Sequence, residues 1–450
     1  MRIVIAGAGA VGTHLSSLLS KEDLDVVLID NDLQRLSKFG NELDIMTHRS
    51  EPTSIKAMKE CNVDKCDLFI AVTPHESVNL ICCMLAHQLG AKKTVARIDN
   101  YEYMKSDNFK LFSNPNIGID SLIYPELLAS KEIVDSAQYS WVRQWWEFHN
   151  GELVLLSVKI HRVADIIGKT LKEIGKENNR FHVVAIKRSG ETISPHGDEK
   201  ILKDDLVYFM VRRQDIDIIK KLTGKDDESY PPVKHVLVLG GGKLSVRTSW
   251  AFPNNIKLKI IEPNMARCEE LSELVKENTT IINGEVHDMA ILEDEGFNNC
   301  EALIALTDND DANILACVAA RRRGITKTIA QVENLDFLSM AEDLDVGTII
   351  NKKTIAASHI YRMLMKADVD SVKMLNVAEA EVAEFVVKDG SKVSRKLVKD
   401  LSLPRGVNLG GLQREGHSML INGMTQMQTG DKVVAFCVEG SLKKLDKYFK

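Results

Sequence analysis

The sequence predicts an α/β protein of two tandem Rossmann-like domains, each a doubly wound parallel sheet followed by a small α+β C-lobe. Three observations support this prediction. The chain opens with a strand-like run that leads into a glycine-rich turn, Gly7-Ala8-Gly9-Ala10-Val11-Gly12. Short apolar runs then alternate with longer helical stretches, which is the pattern of a parallel sheet covered on both faces. The same order of motifs returns in the second half of the chain, so the fold is predicted twice.

The glycine-rich turn predicts a nucleotide site. The strand Ile3–Ala6 precedes it, and a second strand, Val26–Ile29, ends on Asp30. The first glycine permits a tight strand-to-helix turn, the second lets the backbone approach a pyrophosphate, and the third lets the helix pack onto the sheet. The unpaired amides of the helix N-terminus face the phosphates. Asp30, about twenty residues after the first glycine, can accept both hydroxyls of an adenosine ribose. The alternative is a tight turn without a ligand.

Eight candidate cofactor-binding residues follow for the first half: Gly7, Gly9, Ala10, Val11, Gly12, Asp30, Thr73 and Arg97. The turn contains no Lys or Arg, so backbone amides would meet the phosphate charge, which favours a dinucleotide over a triphosphate. Thr73 follows the third apolar strand and either faces the ligand crevice or caps the strand end. Arg97 lies in an otherwise apolar strand and needs a partner, either a ligand phosphate or an internal carboxylate.

Helices are predicted between the strands of the first half, over these ranges: Gly12–Leu19, Thr53–Lys59, Ser77–Leu89, Tyr101–Asp107 and Pro125–Ser136. Glu76 and Asn79 share one face at the start of the third of these helices. We interpret them as satisfying amides and the helix dipole at that helix N-terminus.

The second half repeats the pattern with informative departures. The run Val236–Gly242 repeats the opening strand and turn, and Leu258–Glu262 repeats the second strand with its terminal acid, so Gly240, Gly242 and Glu262 are the candidate residues there. Ser245 replaces the third glycine and is expected to crowd the helix against its strand. Gln331 replaces Arg97, and Lys243 adds a cation. We therefore expect the second cleft to bind a phosphate-richer ligand or none.

Beyond each predicted Rossmann-like domain, the pattern of apolar runs changes to one that is typical of a small α+β module. The charged, proline-stiffened run Lys225–Pro232 has the composition of a linker. An acidic cluster in the first module is interpreted as a solvated turn; it consists of Asp198, Glu199, Asp204 and Asp205. The predicted domains are the first N-lobe 1–140, the first C-lobe 141–223, a linker 224–232, the second N-lobe 233–367 and the second C-lobe 368–450.

Composition restricts the class of function. The chain has 450 residues, 27% charged and 44% apolar, with a net charge of −6. This charge argues against a nucleic-acid partner. The one dense basic run, Arg321–Arg323, is interpreted as a helix end because Gly324 follows it. No apolar run reaches membrane-spanning length and no leader is recognisable, so a cytoplasmic location is expected. The eight cysteines lack metal-ligand spacing and are expected to be reduced.

These motifs resemble the Trk potassium-uptake regulators, cytosolic proteins made of two RCK units, each with a Rossmann-like N-lobe and a small C-lobe. The resemblance extends over essentially all 450 residues. The runs that carry it are the GAGAVG turn with Asp30, Asp67–Thr73 with Glu76 and Asn79, Ala96–Asn100, Ile119–Ala129, Asp310 with Asn313, and Asp345–Ala357.

The resemblance implies a function and partners. It implies a homo-oligomer, expected as a tetramer ring, peripheral on the inner face of the cell membrane beneath a Trk-type potassium-conducting subunit. Adenine nucleotides would bias the gating of that subunit. We expect NAD(H) in the first unit, with ATP or ADP as further candidates for either unit.

The histidines argue against catalysis. A dehydrogenase needs a proton-relay residue with an orienting partner beside the nicotinamide. His75, close to a strand end, is the best candidate, and no neighbour in the sequence orients it. We therefore expect no enzyme activity, no catalytic residue and no metal site. An NAD-dependent oxidoreductase and an NAD-sensing adaptor are the alternatives.

Overall fold

The computed structural model describes residues 1–20, 24–37, 45–161, 164–177, 179–225, 230–286, 293–364, 369–375, 380–438 and 442–449. It confirms the predicted fold class: two parallel sheets alternate along the chain with two smaller antiparallel sheets. Within these ranges every helix is too short or too polar to cross a bilayer.

The strands are β1 Arg2–Ala6, β2 Asp25–Asp30, β3 Ile45–Arg49, β4 Leu68–Ala71, β5 Thr94–Arg97, β6 Ser121–Ile123, β7 Gln144–Phe148, β8 Leu153–Lys159, β9 Phe181–Arg188, β10 Glu191–Ile193, β11 Leu206–Arg212, β12 His235–Leu239, β13 Lys257–Glu262, β14 Thr279–Asn283, β15 Ala302–Ala305, β16 Lys327–Gln331, β17 Thr348–Ile350, β18 Val369–Leu375, β19 Ala380–Val386, β20 Val407–Arg414, β21 His417–Leu420 and β22 Lys432–Val438.

The α-helices of the described ranges are α1 Ala10–Ser20, α2 Leu33–Ser37, α3 Ile55–Glu60, α4 Glu76–Leu89, α5 Ser106–Phe112, α6 Pro125–Ala137, α7 Leu171–Glu177, α8 Ile216–Leu222, α9 Lys243–Ala251, α10 Met265–Leu274, α11 Asp310–Arg322, α12 Phe337–Asp343, α13 Lys352–Leu364 and α14 Leu442–Phe449.

The first parallel sheet has the strand order β3-β2-β1-β4-β5-β6. Its central strands read as continuous apolar runs because both faces are covered: Ile3, Ile5 and Ile70 are fully buried. The order reverses at β1, which pairs with β2 on one side and β4 on the other. A crevice opens at such a reversal, at the carboxyl ends of the strands. The second parallel sheet repeats this arrangement as β14-β13-β12-β15-β16-β17.

The chain forms two compact units, and the helices that leave the parallel sheets are exchanged between them. One unit comprises Met1–Leu128 with Lys352–Lys366, and the other comprises Ala129–Asn351 with Ala367–Lys450. Helix α13, which follows the second parallel sheet in sequence, thus belongs to the unit of the first sheet and packs against α1. Most of α6 belongs to the second unit, where the Ser136 hydroxyl lies 2.9 Å from that of Thr348. This exchange ties together regions distant in sequence.

The two C-lobes are built on antiparallel sheets with the orders β10-β9-β11-β8-β7 and β18-β19-β22-β20-β21. An ion pair between a partly exposed arginine and a buried carboxylate occurs in both. In the first, the Arg188 guanidinium donates to both carboxylate oxygens of Asp205, at 2.8 and 2.9 Å. In the second, Arg414 binds Asp431 in the same way, at 2.9 and 2.7 Å. The interpretation of the acidic cluster as a solvated turn is therefore wrong for Asp205, whose exposed fraction is only 1%.

The helix predicted over Tyr101–Asp107 is wrong in its bounds. A 3₁₀ turn occupies Tyr101–Met104, and a separate helix begins at Ser106. Lys105 between them is extended, with φ −63° and ψ 135°. The carbonyl of Glu102 accepts both the Lys105 amide and the Asn108 side chain, a local pairing that competes with a continuous helix.

Replacing Arg188 by Met should destabilise the first C-lobe by about 3–5 kcal/mol, because it leaves the buried Asp205 carboxylate without its cation. The matched control is Lys169→Met, which removes the more exposed pair with Glu177 and should cost at most about 1 kcal/mol. Thermal unfolding of the intact chain measures both. Equal effects of the two substitutions would contradict a structural role for the Arg188–Asp205 pair.

Candidate functional site

The glycine turn after β1 is shaped by close backbone contacts at its first and third glycines. Gly7 has φ +110°, a backbone conformation that residues with a side chain rarely adopt. A Cβ at this position would lie 2.9 Å from the Thr73 amide nitrogen. A Cβ on Gly12 would lie 1.9 Å from the Gly7 carbonyl oxygen. A Cβ on Gly9 would meet no atom within 4 Å. The first and third glycines are therefore required by packing, whereas the second faces open space at the N-terminus of α1.

Asp30 holds this turn in place. One carboxylate oxygen accepts a hydrogen bond from the Ala8 amide at 2.6 Å, and the other accepts from the Asp32 amide at 2.8 Å. The residue is 6% exposed. Each oxygen of a carboxylate can accept more than one hydrogen bond, so this carboxylate retains acceptor capacity. The structure thus brings Asp30 and the glycine turn together, as predicted; the contact of Asp30 with a ribose stays a prediction.

Thr73 is held by Asn79, a connection between strand ends that the sequence interpretation missed. The Asn79 side-chain oxygen accepts from the Thr73 amide at 2.8 Å and from its hydroxyl at 2.7 Å. The Asn79 amide group donates to the carbonyls of Thr73 and Arg97, at 3.0 and 2.9 Å. One buried side chain thereby joins the ends of β4 and β5. The recurrence of Asn313 at the matching position was the available signal, and it makes the same bonds to Thr307 and Gln331.

Glu76 also bonds beyond its own helix. Its carboxylate accepts from the amides of Asp99 and Asn100, at 2.9 and 2.8 Å, just after β5 ends. In the second half, Asp310 accepts from the corresponding amides of Glu333 and Asn334. The interpretation of Glu76 and Asn79 as caps of their own helix therefore placed them on the wrong amides. Together they fix the end of β5 at Arg97 and the loop that follows it.

Arg97 lies at the carboxyl end of β5, beside this loop. Its guanidinium contacts the Asp99 carboxylate at 3.3 Å, which is the internal ion pair foreseen as one alternative. The Nε–H group is buried and has no hydrogen-bond partner among the described residues. The contact with Asp99 therefore does not satisfy every donor of this side chain. An unpaired buried donor is energetically costly. The side chain is 26% exposed, so part of it faces solvent.

The second cleft repeats the carboxylate and turn geometry. Glu262 accepts from the amides of Gly241 and Asn264, at 2.7 and 2.9 Å, as Asp30 does in the first. Gly240 has φ +93°, and a Cβ on Gly242 would meet no atom within 4 Å. Ser245 is accommodated rather than crowded, because its hydroxyl donates to the Gly240 carbonyl at 2.5 Å. The expectation of crowding at this position is therefore wrong.

The charge of the second cleft differs from the sequence expectation. A cavity of about 290 Å³ lies over its glycine turn. Its described lining contains the carboxylates of Glu262, Glu285 and Asp308 but no lysine or arginine. Lys243, the cation on which a phosphate-richer ligand was expected, is exposed and outside this lining. Carboxylates repel phosphate, so the described lining disfavours such a ligand.

Groups suited to chemistry are sparse. The exposed His75 ring forms no hydrogen bond or ion pair with the described residues. The described residues hold no group of three His, Cys, Asp or Glu side chains placed to bind a metal. All eight thiols are free. Burial raises the pKa of Cys82 to about 12, so this thiol stays protonated at neutral pH.

Comparison with known families agrees with this geometry. The TrkA-N domain family matches residues 3–125 and 236–352, and the TrkA-C domain family matches residues 155–224 and 382–450. Among curated proteins, the chain is similar to the "Trk system potassium uptake protein TrkA" of Haemophilus influenzae. The two are 27% identical over 458 aligned residues, which cover 100% of this chain and 99% of the relative.

Solved structures share the fold. The GsuK channel bound to NAD superposes with a TM-score of 0.60 at 12% identity, covering 100% of this chain and 78% of the channel chain. GsuK bound to ADP superposes with a TM-score of 0.51 at 9% identity, covering 81% and 69%. Tandem parallel and antiparallel sheets in this order are thus the architecture of RCK proteins.

Substituting Gly12 by Ala should destabilise the first parallel-sheet domain by about 1–3 kcal/mol, because the added methyl group must displace the Gly7 backbone. Gly9→Ala is the matched control and should cost far less, since its methyl group meets no atom. Differential scanning calorimetry of both variants would test this. Comparable losses of stability would show that the turn is not packed as described.

Proposed function

Because the chain belongs to the TrkA family of potassium uptake proteins, we propose that it is the nucleotide-binding regulatory subunit of a potassium uptake system. The two family matches recur in both halves and the curated relative is matched over its full length. The proposal rests on the whole architecture rather than on one motif.

The first cleft is the proposed NAD(H) site, and the open space at Gly9 is the observation that carries the proposal. The turn offers the backbone of Gly9, Ala10, Val11 and Gly12 at the N-terminus of α1, where amide groups lack partners inside the helix. No atom fills the position where a Cβ on Gly9 would stand, so a pyrophosphate can approach the backbone. Asp30 would accept the ribose hydroxyls, and the exposed part of the Arg97 guanidinium would meet a phosphate oxygen.

The second cleft is proposed as a weaker or differently specific adenine-nucleotide site. Its glycine turn and Glu262 match the first cleft, while Gln331 takes the place of Arg97 and Glu285 and Asp308 add negative charge. A nucleotide there would depend on backbone amides for its phosphates. ADP or ATP bound with a counter-cation is compatible with such a lining, and so is an empty cleft. The solved GsuK structures with NAD and with ADP support both nucleotide classes for this fold.

The proposed mechanism is a shift in population and involves no chemical step. A nucleotide changes the gating of a partner only if it binds one arrangement of the protein more tightly than another. Coupling of about 1–3 kcal/mol is usual for such proteins. A homo-oligomeric ring, proposed as a tetramer at the inner face of the cell membrane, would add the contributions of several chains at a Trk-type potassium-conducting subunit.

Binding without turnover is proposed for the same clefts. Hydride transfer would need a proton relay beside the nicotinamide, held by an orienting partner. The His75 ring has no such partner among the described residues. Incubation of the purified chain with NADH should therefore cause no catalytic loss of its absorbance at the nicotinamide band.

Gly9→Val should weaken NADH binding by about a hundredfold, because its side chain would occupy the space proposed for the pyrophosphate. Losing two charge-assisted hydrogen bonds of about 1.5 kcal/mol each accounts for that factor. Isothermal titration of the whole chain with NAD, NADH, ADP and ATP measures it. The thermal unfolding of the variant should stay close to that of the wild type.

Gly242→Val is the matched control, since it fills the equivalent space of the second cleft. It should leave NADH affinity unchanged and alter ADP or ATP binding if that cleft is occupied. Rubidium uptake by vesicles containing the membrane partner should lose its NADH response only with Gly9→Val. Normal NADH binding by Gly9→Val would reject the first cleft as the site.

Arg97→Gln gives the first cleft the residue that the second cleft has. We expect NADH affinity to fall roughly tenfold to a hundredfold, the worth of one charge-assisted hydrogen bond. Asp99→Asn is the control, because it removes the internal partner of Arg97 while keeping the guanidinium. If both variants bind NADH like the wild type, the Arg97 guanidinium serves only the internal pair.

A further inference from the structure

A second kind of cavity lies within the second compact unit. It is beside the amino end of β16, whereas the glycine turn follows the carboxyl end of β12. Its volume is about 270 Å³. Walls come from the start of the first C-lobe, from the linker residues Lys225 and Tyr230, and from the segment between α11 and β16. The described lining residues that carry charge or can titrate there are Arg143, Lys159, His161, Lys225, Tyr230, Arg321 and Lys327.

The lining is cationic, although the whole chain is acidic. Five lysine and arginine side chains line the cavity, and no carboxylate is among its described lining residues. The nearby Asp345 binds both Arg143 and Arg321 from outside the lining. Among the described residues, this one carboxylate thus bonds two of the five cations. Like charges gathered in a partly buried space repel one another unless an anion offsets them.

Several of these cations retain unused hydrogen-bond donors. Arg321 gives one N–H group to Asp345 at 2.7 Å, and Arg143 likewise bonds Asp345 through one nitrogen. A guanidinium has five N–H donors, so donors remain on both arginines. The Lys159 ammonium forms no hydrogen bond or ion pair within the part of the chain that the structure describes. These groups line the cavity of about 270 Å³ that the described residues leave open.

Lys327 adds a buried charge. It is 2% exposed, and its ammonium donates to the Ser136 hydroxyl, the Val142 carbonyl and the Thr348 hydroxyl at 3.0, 2.7 and 3.0 Å. No described carboxylate pairs with it. Burial, followed by repulsion from Arg143 and Arg321, lowers the pKa of Lys327 well below its usual value.

His161, a second titratable group of the lining, is affected by the same positive charges. Burial first, and then the charges of Lys225, Arg143 and Arg321, lower the pKa of His161 to about 4, against the attraction of Asp345. The imidazole is therefore neutral at physiological pH. A neutral imidazole donates one hydrogen bond from one ring nitrogen and accepts one at the other.

We propose that this cavity binds a small, multiply charged phosphate anion, either inorganic or the phosphate chain of a nucleotide. Guanidinium groups match the oxygens of phosphate in geometry, and several cations together suit more than one negative charge. The volume is below the range typical of sites that enclose whole organic ligands, so a base would remain outside. A bound phosphate would link the first C-lobe to the second parallel-sheet domain across the linker.

The first half of the chain lacks the arginine equivalent to Arg321 and exposes the lysine equivalent to Lys327, which supports a site that the second sheet alone provides. His87 stands at the position equivalent to Arg321, and its ring contacts the Pro115 carbonyl at 2.9 Å. Lys93, the equivalent of Lys327, is exposed. The proposed site does not depend on the nucleotide clefts, and the repeat supplies its own control residue.

The test is isothermal titration of the whole chain with pyrophosphate, in parallel with Lys159→Gln, Lys93→Gln and Gly9→Val. Lys159→Gln removes no hydrogen bond or close ion pair formed with the described residues, only the longer-range attraction to Glu342 and Asp345, so it should stay close to the wild-type thermal stability. It should weaken pyrophosphate binding about tenfold, the effect of one lost charge-assisted contact. Lys93→Gln should leave pyrophosphate binding unchanged. The difference between the wild type and Lys159→Gln should persist in a chain that also carries Gly9→Val, which closes the first nucleotide cleft. Asp345→Asn, which releases donors of two arginines, should strengthen pyrophosphate binding.

The source of the phosphate is decided by repeating the titration with ATP in a chain carrying both Gly9→Val and Gly242→Val. If ATP gives a binding heat in this chain, and Lys159→Gln reduces that heat, the ligand is the phosphate chain of a nucleotide. If pyrophosphate gives a binding heat and ATP gives none, the ligand is an inorganic anion. The proposal is overturned if the wild type binds no pyrophosphate. It is equally overturned if Gly9→Val abolishes the binding, or if Lys159→Gln and Lys93→Gln weaken it alike.

Discussion

The bond between a strand-end carboxylate and the glycine turn fixes both clefts. Ala8 donates its amide to Asp30, and Gly241 donates its amide to Glu262, at 2.6 and 2.7 Å. A buried amide at such a turn needs an acceptor, and the carboxylate supplies one without closing the N-terminus of the following helix. The group that orders the turn is thus also the group proposed to accept the ribose hydroxyls of the ligand.

The repeat in the sequence predicted the fold class and the main strands because apolar runs between glycine turns are local signals. It did not predict the bonds of Asn79 and Glu76, since their partners lie on a neighbouring strand end that only the folded sheet brings close. The exchange of α13 into the unit of the first sheet was equally out of reach. The spacing of apolar residues in the sequence indicates that a helix has an apolar face. It does not indicate which sheet that face packs against.

Duplication allowed the two clefts to diverge while the turn stayed the same. In the first, the third glycine is required because a Cβ on Gly12 would meet the Gly7 carbonyl. In the second, the Ser245 hydroxyl bonds the equivalent carbonyl, and the position no longer needs glycine. Arg97 and its counterpart Gln331 differ by a full charge at the strand end. If both clefts bind nucleotides as proposed, such differences would give them unequal affinities for the same nucleotide.

The position of Lys327 shows what the second half gained. Its counterpart Lys93 is exposed to solvent, where an ammonium needs no protein partner. Lys327 is buried, and its partners among the described residues are three neutral acceptors and no carboxylate. A hydrophobic residue of similar length would pack there without the desolvation penalty of a charge. The lysine also faces Arg143 and Arg321, so its surroundings raise that penalty further. An anion held among these side chains would offset the penalty, and its occupancy would then bear on how firmly the first C-lobe is held against the second sheet.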